Sequence, residues 1–361
     1  MRALIAMSGG VDSSVAALLM KEKGFDCTGC TMRLYENDMI GEDLLSTCCS
    51  LKDTGDARAV CERIGIPYHI FHYENEFRDL VIEPFVASYE RGETPNPCIE
   101  CNRRLKFSLL YDKAKELGCD TIVTGHYARI DRTDGRFLLK KALDTSKDQS
   151  YVLYNMGQEE LSRTMFPLGE LTKDEVRRIA GEHGFVNSGK KDSQDICFVP
   201  DGDYAGMIRR YREGKDYPSG DFIGTDGEVL GRHEGIINYT IGQRRGLRLP
   251  AGERIYVKDI DPDRNTVTLS DNNALFRKSF KVRSVNWISG TEPSGEVRAL
   301  VKIRYRHREQ PASIKPCGDM AEITFDEAQR AITPGQAAVF YDIDGETVLG
   351  GGVIIREELE K

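Results

Sequence analysis

No apolar run in this sequence approaches the roughly 18 residues that a membrane-spanning helix needs, which argues against a helical membrane protein. Positive charge is in deficit as well: 50 lysines and arginines against 58 aspartates and glutamates leave a formal charge of −8. That balance argues against bulk attraction to nucleic acid and leaves a local basic face as the way to contact it. Internal repeats and low-complexity tracts are missing. The first residues lack the apolar core of a signal sequence and lead straight into a strand pattern, so a cytoplasmic protein is expected. Two common phosphate-binding signatures are also absent after that strand. No Gly-Lys-Ser/Thr succeeds it, and the Gly-x-Gly-x-x-Gly spacing of dinucleotide folds does not occur there.

The strand instead runs into Ala6-Met7-Ser8-Gly9-Gly10-Val11-Asp12-Ser13, behind the apolar run Ala3-Leu4-Ile5 and ahead of a helical pattern carried by Val11, Val15, Leu18 and Leu19. The glycine pair permits a tight turn that brings bare N–H groups to a ligand, and Ser8 and Ser13 add hydroxyl donors. That combination is a polyphosphate cradle. Asp12 would repel a triphosphate unless a cation stands between them, and Mg2+ is the natural mediator. Ser-Gly-Gly-x-Asp-Ser resembles the pyrophosphate loop of the adenine-nucleotide alpha-hydrolase fold, which implies cleavage of ATP to AMP and pyrophosphate with AMP left on a substrate oxygen.

With 361 residues the chain exceeds one core, and 40% hydrophobic with 30% charged content is ordinary for a globular protein. Strands are expected at 26–32, 67–71 and 120–125, alternating with helices at 53–64, 75–89 and 102–117. This is an α/β pattern that calls for a doubly wound parallel sheet with its ligand beyond the strands' carboxyl ends. The loop Ala6–Ser13, Met32 and Gly125 fall at such ends. A hairpin is expected around Asp134-Gly135, a helical stretch opening at Lys147-Asp148-Gln149-Ser150, and a capped helix from Thr172 to His183. From about Tyr217 turn signals recur among short alternating segments, which predicts two small β-rich domains. The expected division is 1–215, 216–277 and 278–361. Two basic stretches lie in the second half, 243–248 and 301–308, the latter read as a strand with Tyr305 among arginines.

Ten cysteines in a large cytosolic chain point to metal, catalysis or packing before disulfides. Thr94-Pro95-Asn96-Pro97-Cys98-Ile99-Glu100-Cys101-Asn102 sets a Cys-x-x-Cys at the end of a proline-stiffened loop and the start of a helix, where a thiolate is favoured. Cys197 lies far off, after the polar run 188–191. Cys27 and Cys30 would point to opposite faces of a strand, Cys61 and Cys119 fit apolar patterns, and Cys48-Cys49 with Cys98 and Cys101 leave a zinc site open.

Six motifs in order, Ala6–Ser13, Thr94–Asn102, Thr124–Ala128, Lys147–Ser150, Ser193–Phe198 and Tyr239–Leu247, resemble the tRNA-specific 2-thiouridylase family, MnmA or TrmU, over essentially the whole chain. The resemblance implies a pyrophosphatase domain, a small central domain and a C-terminal β-barrel acting with ATP on the wobble uridine of tRNA. It implies Cys101 as nucleophile and Cys197 as the residue that receives persulfide sulfur from a donor protein, the two ending as a disulfide. It places Asn96, Pro97 and Cys98 against the target base, and His126, Lys147, Asp148, Gln149, Arg304, Tyr305 and Gln336 against tRNA. Cys98, where some members carry aspartate, would exchange a proton with the uracil. The runner-up is an iron–sulfur thiolase with Cys98, Cys101 and Cys197 as cluster ligands. An amidotransferase or lysine ligase gives the thiols no task, and a non-catalytic RNA-binding module leaves the pyrophosphate loop unexplained.

Overall fold

The computed structural model describes residues 1–35, 51–190, 196–249 and 254–356. In chain order the strands of the first half are β1 (Arg2–Ala6), β2 (Asp26–Arg33), β3 (Tyr68–His72), β4 (Thr121–Val123), β5 (Ala128–Thr133), β6 (Arg136–Lys141) and β7 (Thr164–Met165). Alternate side chains of β1 enter two cores. Leu4 joins Cys30 and Ile122 on one face, while Ala3 and Ile5 join Cys27 and Val123 on the other. A strand covered on both faces has to be apolar throughout, as residues 3–5 are. The two cysteines of Cys27-x-x-Cys30 accordingly sit on opposite sides of the sheet, and Cys61 and Cys119 are buried.

The sheet order is β3-β2-β1-β4-β7, with every pairing parallel. Chain order reverses between β1 and β4, so the crevice beyond their carboxyl ends is where such a sheet accepts ligands. Helix α1 (Val11–Glu22) covers one face of the sheet with Val11, Val15 and Leu18, each fully buried side chain being worth about 1.5–3 kcal/mol. Helix α2 (Leu51–Ile64) lies beside it.

Two expected helices exist but carry insertions. Between α3 (Glu74–Phe77) and α4 (Glu83–Glu90) the backbone widens into a π-helical turn over Arg78–Ile82. Between α5 (Pro97–Glu100) and α6 (Leu110–Glu116) it does so over Cys101–Leu109. Hydrophobic periodicity does not signal such turns, which cluster at functional sites. The helical stretch expected to open at Lys147 is a single 3-10 turn, Ser150–Leu153. Its four residues are all buried, so no amphipathic face exists to carry a longer helix. Further helices are α7 (Gln158–Ser162), α8 (Lys173–Glu182) with the expected Thr172–Glu175 capping box, and α9 (Tyr204–Tyr211).

The second half holds two more sheets. β8 (Gly220–Ile223), β9 (Val229–His233), β10 (Tyr256–Asp261) and β11 (Thr266–Ser270) form a four-stranded sheet, whose Phe222, Val257 and Leu269 are continuous with the core around Leu4 and Phe77. β12 (Phe276–Trp287), β13 (Val297–Lys302), β14 (Gln310–Cys317), β15 (Met320–Arg330), β16 (Ala337–Tyr341) and β17 (Thr347–Ile354) close into a six-stranded barrel through a β12–β17 pairing. The expected hairpin, β5–β6, extends this barrel from outside: Thr347 and Val348 of β17 pair with Lys140 and Leu139 of β6. The basic strand expected over 301–308 ends at Lys302. Arg304 to Arg308 lie in the reversal between β13 and β14, closed by His307 N–H donating to the Arg304 carbonyl, because the antiparallel barrel has to turn there.

Candidate active site

The loop after β1 turns at Gly9, whose φ of +71° belongs to the left-handed region. A Cβ there would stand 2.3 Å from the Asp53 carbonyl, so the turn admits no side chain. Ser8 N–H donates to Ser13 Oγ at 3.2 Å, and Ser13 and Ser14 hydroxyls donate to the Gly10 carbonyl, which ties the loop to the first turn of α1. The leading N–H groups of a helix have no intrahelical acceptor, and this one faces the crevice between β1 and β4. Met32, one residue before the end of β2, is a buried residue of the adjoining core.

Gly125 completes the crevice. A Cβ on it would meet Ser13 N at 2.8 Å and the Asp12 carbonyl carbon at 2.9 Å, so the segment after β4 lies directly on the loop. The Asp12 carboxylate is held by Lys173 Nζ at 2.7 and 2.9 Å and by the Tyr127 hydroxyl at 2.9 Å. The Lys173 side chain is 8% exposed and that of Asp12 32%, so the acid looks toward solvent and the base lies beneath it. Behind the loop, Asn187 Nδ2 donates to the Gly9 carbonyl at 3.0 Å and to Ser14 Oγ at 2.9 Å. Lys190 Nζ reaches the same carbonyl at 3.1 Å while pairing with Asp53 and Asp56. Tyr127 lies inside the Thr124–Ala128 motif, whereas no sequence motif marks Lys173, Asn187 or Lys190 as a site residue. Their only signal in the sequence is positional: Lys173 comes directly after the helix-capping Thr172, and Lys190 lies in a polar run that reads as free to move.

His126, next to Gly125, is buried against Phe107 and Phe166, with ring centroids 6.0 and 5.8 Å away. Burial, and secondarily the Lys106 charge, push its pKa well below 6.5. The folded chain therefore resists a proton that the unfolded chain accepts. Stability from this residue is complete above about pH 6.5 and is lost as pH falls below it. The expected result is a melting midpoint that declines below that pH, with a shallower decline in His126→Gln. Identical slopes for the two proteins would mean that His126 does not titrate differently on folding.

Among the candidate thiols, Cys98 is exposed and Cys101 only 9% exposed. Asn96 caps α5 by accepting from Cys98 N–H at 3.1 Å, and Pro97 occupies the first helical position. Cys197 is half-buried and packs on the same apolar cluster as Cys101, which also holds Phe77, Val81, Phe85 and Leu105. The Tyr35 hydroxyl donates to the Cys197 carbonyl at 3.2 Å, and the Phe198 ring is wedged edge-on against Phe77 and Phe85 at 5.6 and 5.2 Å. Two residues 96 positions apart in sequence thus enter the same extended apolar core. Cys48 and Cys49 lie outside the described residues, as do Ser193 to Asp195. Among the described residues no three His, Cys, Asp or Glu side chains are grouped to hold a metal ion, so cluster ligation by Cys98, Cys101 and Cys197 finds no support.

The residues expected to touch tRNA divide into two sets. Tyr305 is 39% exposed and donates to the Asp148 carbonyl at 3.2 Å, and burial, followed by the charges of Asp148 and Cys98, raises its pKa. Lys147, adjacent to Asp148 in the chain, is half-buried. The others face inward. Asp148 is buried, its carboxylate accepting from Ala142 N–H, Ser150 N–H and the Ser150 hydroxyl, and burial raises its pKa. Gln149 Oε1 accepts from Tyr127 N–H at 3.0 Å. Arg304 Nη2 donates to Thr333 Oγ1 at 2.6 Å and to the carbonyls of Ala331 and Ile241. Gln336 Nε2 donates to the Thr94 carbonyl at 2.6 Å, which fastens the proline-stiffened loop to the barrel.

Residues 1–201 match the family model described as tRNA methyl transferase HUP domain, 207–271 the tRNA methyl transferase PRC-barrel domain, and 277–354 the aminomethyltransferase beta-barrel domain. The tRNA-specific 2-thiouridylase MnmA of Clostridioides difficile (strain 630) is 47% identical over 356 residues, covering 98% of this chain and 98% of its own. That of Geotalea uraniireducens (strain Rf4) is 48% identical over 359 residues, covering 98% of this chain and 94% of its own. That of Symbiobacterium thermophilum is 47% identical over 362 residues, covering 98% and 92%.

Proposed function

The chain belongs to the tRNA-specific 2-thiouridylase family, and on that footing we propose that it uses ATP to adenylate the 2-oxygen of a tRNA wobble uridine and then replaces that oxygen with sulfur. The observation that carries this reading is a pyrophosphate loop at the sheet's switch point in a chain whose Cys101 and Cys197 enter one common apolar core. A methyl transfer, the chemistry in the domain descriptions, would leave both features idle.

The uracil 2-carbonyl is a poor electrophile. Its oxygen attacks the α-phosphorus of ATP, pyrophosphate leaves, and C2 then carries AMP as a leaving group. The terminal sulfur of a Cys197 persulfide, supplied by a donor protein, displaces AMP from C2, either directly or after release as hydrosulfide. In the direct route the Cys101 thiolate attacks the Cys197 sulfur, the S–S bond to the uridine breaks, and the two electrons remain on the new thiocarbonyl. A Cys101–Cys197 disulfide is left, which a thiol reductant resets. Loop N–H groups and Ser8 and Ser13 hydroxyls bind the pyrophosphate. Mg2+ fits the donor set in its usual sparse manner, one carboxylate from Asp12 with phosphate oxygens and waters, provided Lys173 yields. The cation would offset the charge of the leaving pyrophosphate. Cys98 and Tyr305, both exposed, face the target base with Asn96 and Pro97, and Lys147 takes a phosphate. His126, Asp148, Gln149, Arg304 and Gln336 position this surface from behind.

The test is nucleoside mass spectrometry of tRNA incubated with the protein, Mg·ATP and a persulfide donor. The expected product is 2-thiouridine at the wobble position, formed only with ATP. Sulfur appearing without ATP, or not at all with every component present, would refute the assignment. The inward set has its own expectation. Arg304→Ala leaves buried carbonyls unpaired, so it should lower stability by about 1–3 kcal/mol while the salt slope of tRNA binding stays put. A flatter slope with unchanged melting would instead place that guanidinium on a phosphate.

A further inference from the structure

We infer that Lys106 is a phosphate-binding residue of the active site, held in place by His126. The Lys106 ammonium lies 3.5 Å from His126 Nε2, and the other ring nitrogen lies 2.7 Å from Thr124 Oγ1. An ammonium can only donate. His126 Nε2 is therefore the bare acceptor, and Nδ1 carries the proton that goes to Thr124 Oγ1. The buried ring, kept neutral by its surroundings, is in the required state.

Lys106 is half-buried, yet among the described residues no carboxylate lies within ion-pair reach of it. Several other half-buried lysines of this chain are matched, Lys190 with Asp53 and Asp56, Lys113 with Glu116, Lys140 with Asp131 and Lys141 with Glu309, while Lys302 lies instead over the Tyr151 and Tyr305 rings. A partly desolvated cation without a counter-ion is costly, which points to an anion brought by a reactant. Its location says which kind. His126 comes after Gly125, whose Cα lies on Asp12 and Ser13 of the pyrophosphate loop, and Lys106 shares the widened helical turn that begins at Cys101. Through His126 the ammonium is tied to the edge of the nucleotide crevice, on the helical turn that also carries the nucleophilic thiol. The expected ligand is the α-phosphate of the nucleotide, the phosphate that carries the adenylated oxygen.

This inference rests on the ATP-dependent function, and its test separates the two. Mg·ATP binding without tRNA and tRNA binding without ATP, the latter against salt, are measured for the parent, Lys106→Met and Lys106→Arg. The expected result is a roughly tenfold or greater loss of ATP affinity in Lys106→Met, the worth of one charge-assisted hydrogen bond, with most of it kept in Lys106→Arg. The melting midpoint should not fall, since methionine removes an unpaired charge. Unchanged ATP affinity with a tRNA salt slope reduced by about one would keep the phosphate role and assign it to the RNA backbone. Parent-like binding of both ligands, or lower melting with binding intact, would overturn the inference. A parent that binds no ATP would defeat the proposed function itself.

Discussion

Serine at either Cys101 or Cys197 should stop sulfur transfer, by roughly three orders of magnitude or more, as removal of a covalent participant does. The two variants should stop at different stages. With Cys197→Ser no persulfide forms. With Cys101→Ser the persulfide forms and persists, because the thiol that would resolve the S–S bond is missing. The structure is compatible with that pairing: both residues belong to one extended apolar core, and Phe198, next to Cys197 in the chain, packs edge-on against Phe77 and Phe85 of that core. Serine is nearly isosteric with cysteine, so neither change should disturb that packing. Mass spectrometry after incubation with a persulfide donor should show a sulfur adduct on Cys197 in the Cys101 variant and none in the Cys197 variant. An adduct on neither cysteine in any variant would favour free sulfide as the sulfur source.

Asp12→Ala should abolish pyrophosphate release and also weaken the fold. The sequence alone leads one to expect the fold to survive, since Asp12 reads as a surface ligand. Lys173 changes that expectation. Its ammonium is buried, and removal of the carboxylate at 2.7 Å would take that partner from it, a loss of up to about 3 kcal/mol for a buried pair and somewhat less for one whose acid is partly exposed. The double variant Asp12→Ala, Lys173→Met removes both charges and should recover most of the melting midpoint without recovering turnover. Thermal melting and a pyrophosphate assay on the three proteins decide it. An Asp12→Ala protein that melts like the parent would show that Lys173 finds water or another partner. One that still releases pyrophosphate at the parent rate would remove Asp12 from the site.

Much of the fold is legible because its signals are local. The apolar residues 3–5, the glycine pair and the Val11–Leu19 periodicity specify a strand, a turn and a helix, and Thr172 with Glu175 announces a cap. Gly125 is readable as a strand end, but its tight approach to Asp12 is not, because that contact joins residues 113 positions apart. The same holds for Lys173 on Asp12, Lys190 on the Gly9 carbonyl and Lys106 on His126: lysines occur everywhere, and only tertiary structure distinguishes a gripping one from a solvated one. The stretch 301–308 misleads for a different reason. Alternation of basic and apolar residues mimics a strand, whereas the barrel's register places the reversal at Arg304 and turns that side chain inward to Ala331 and Thr333. The π-helical turns at Arg78 and Cys101 are illegible because an inserted residue shifts a helical pattern without erasing it.

Adenylation of the uridine oxygen is the step on which everything else depends, and the fate of that oxygen tests it. A tRNA carrying heavy oxygen at C2 of the wobble uridine, incubated with the protein, unlabelled Mg·ATP and a persulfide donor, should yield AMP bearing one heavy oxygen for every 2-thiouridine formed. Formation of 2-thiouridine alongside wholly unlabelled AMP would show that ATP is spent elsewhere, and the assignment of the pyrophosphate loop to uridine activation would be wrong.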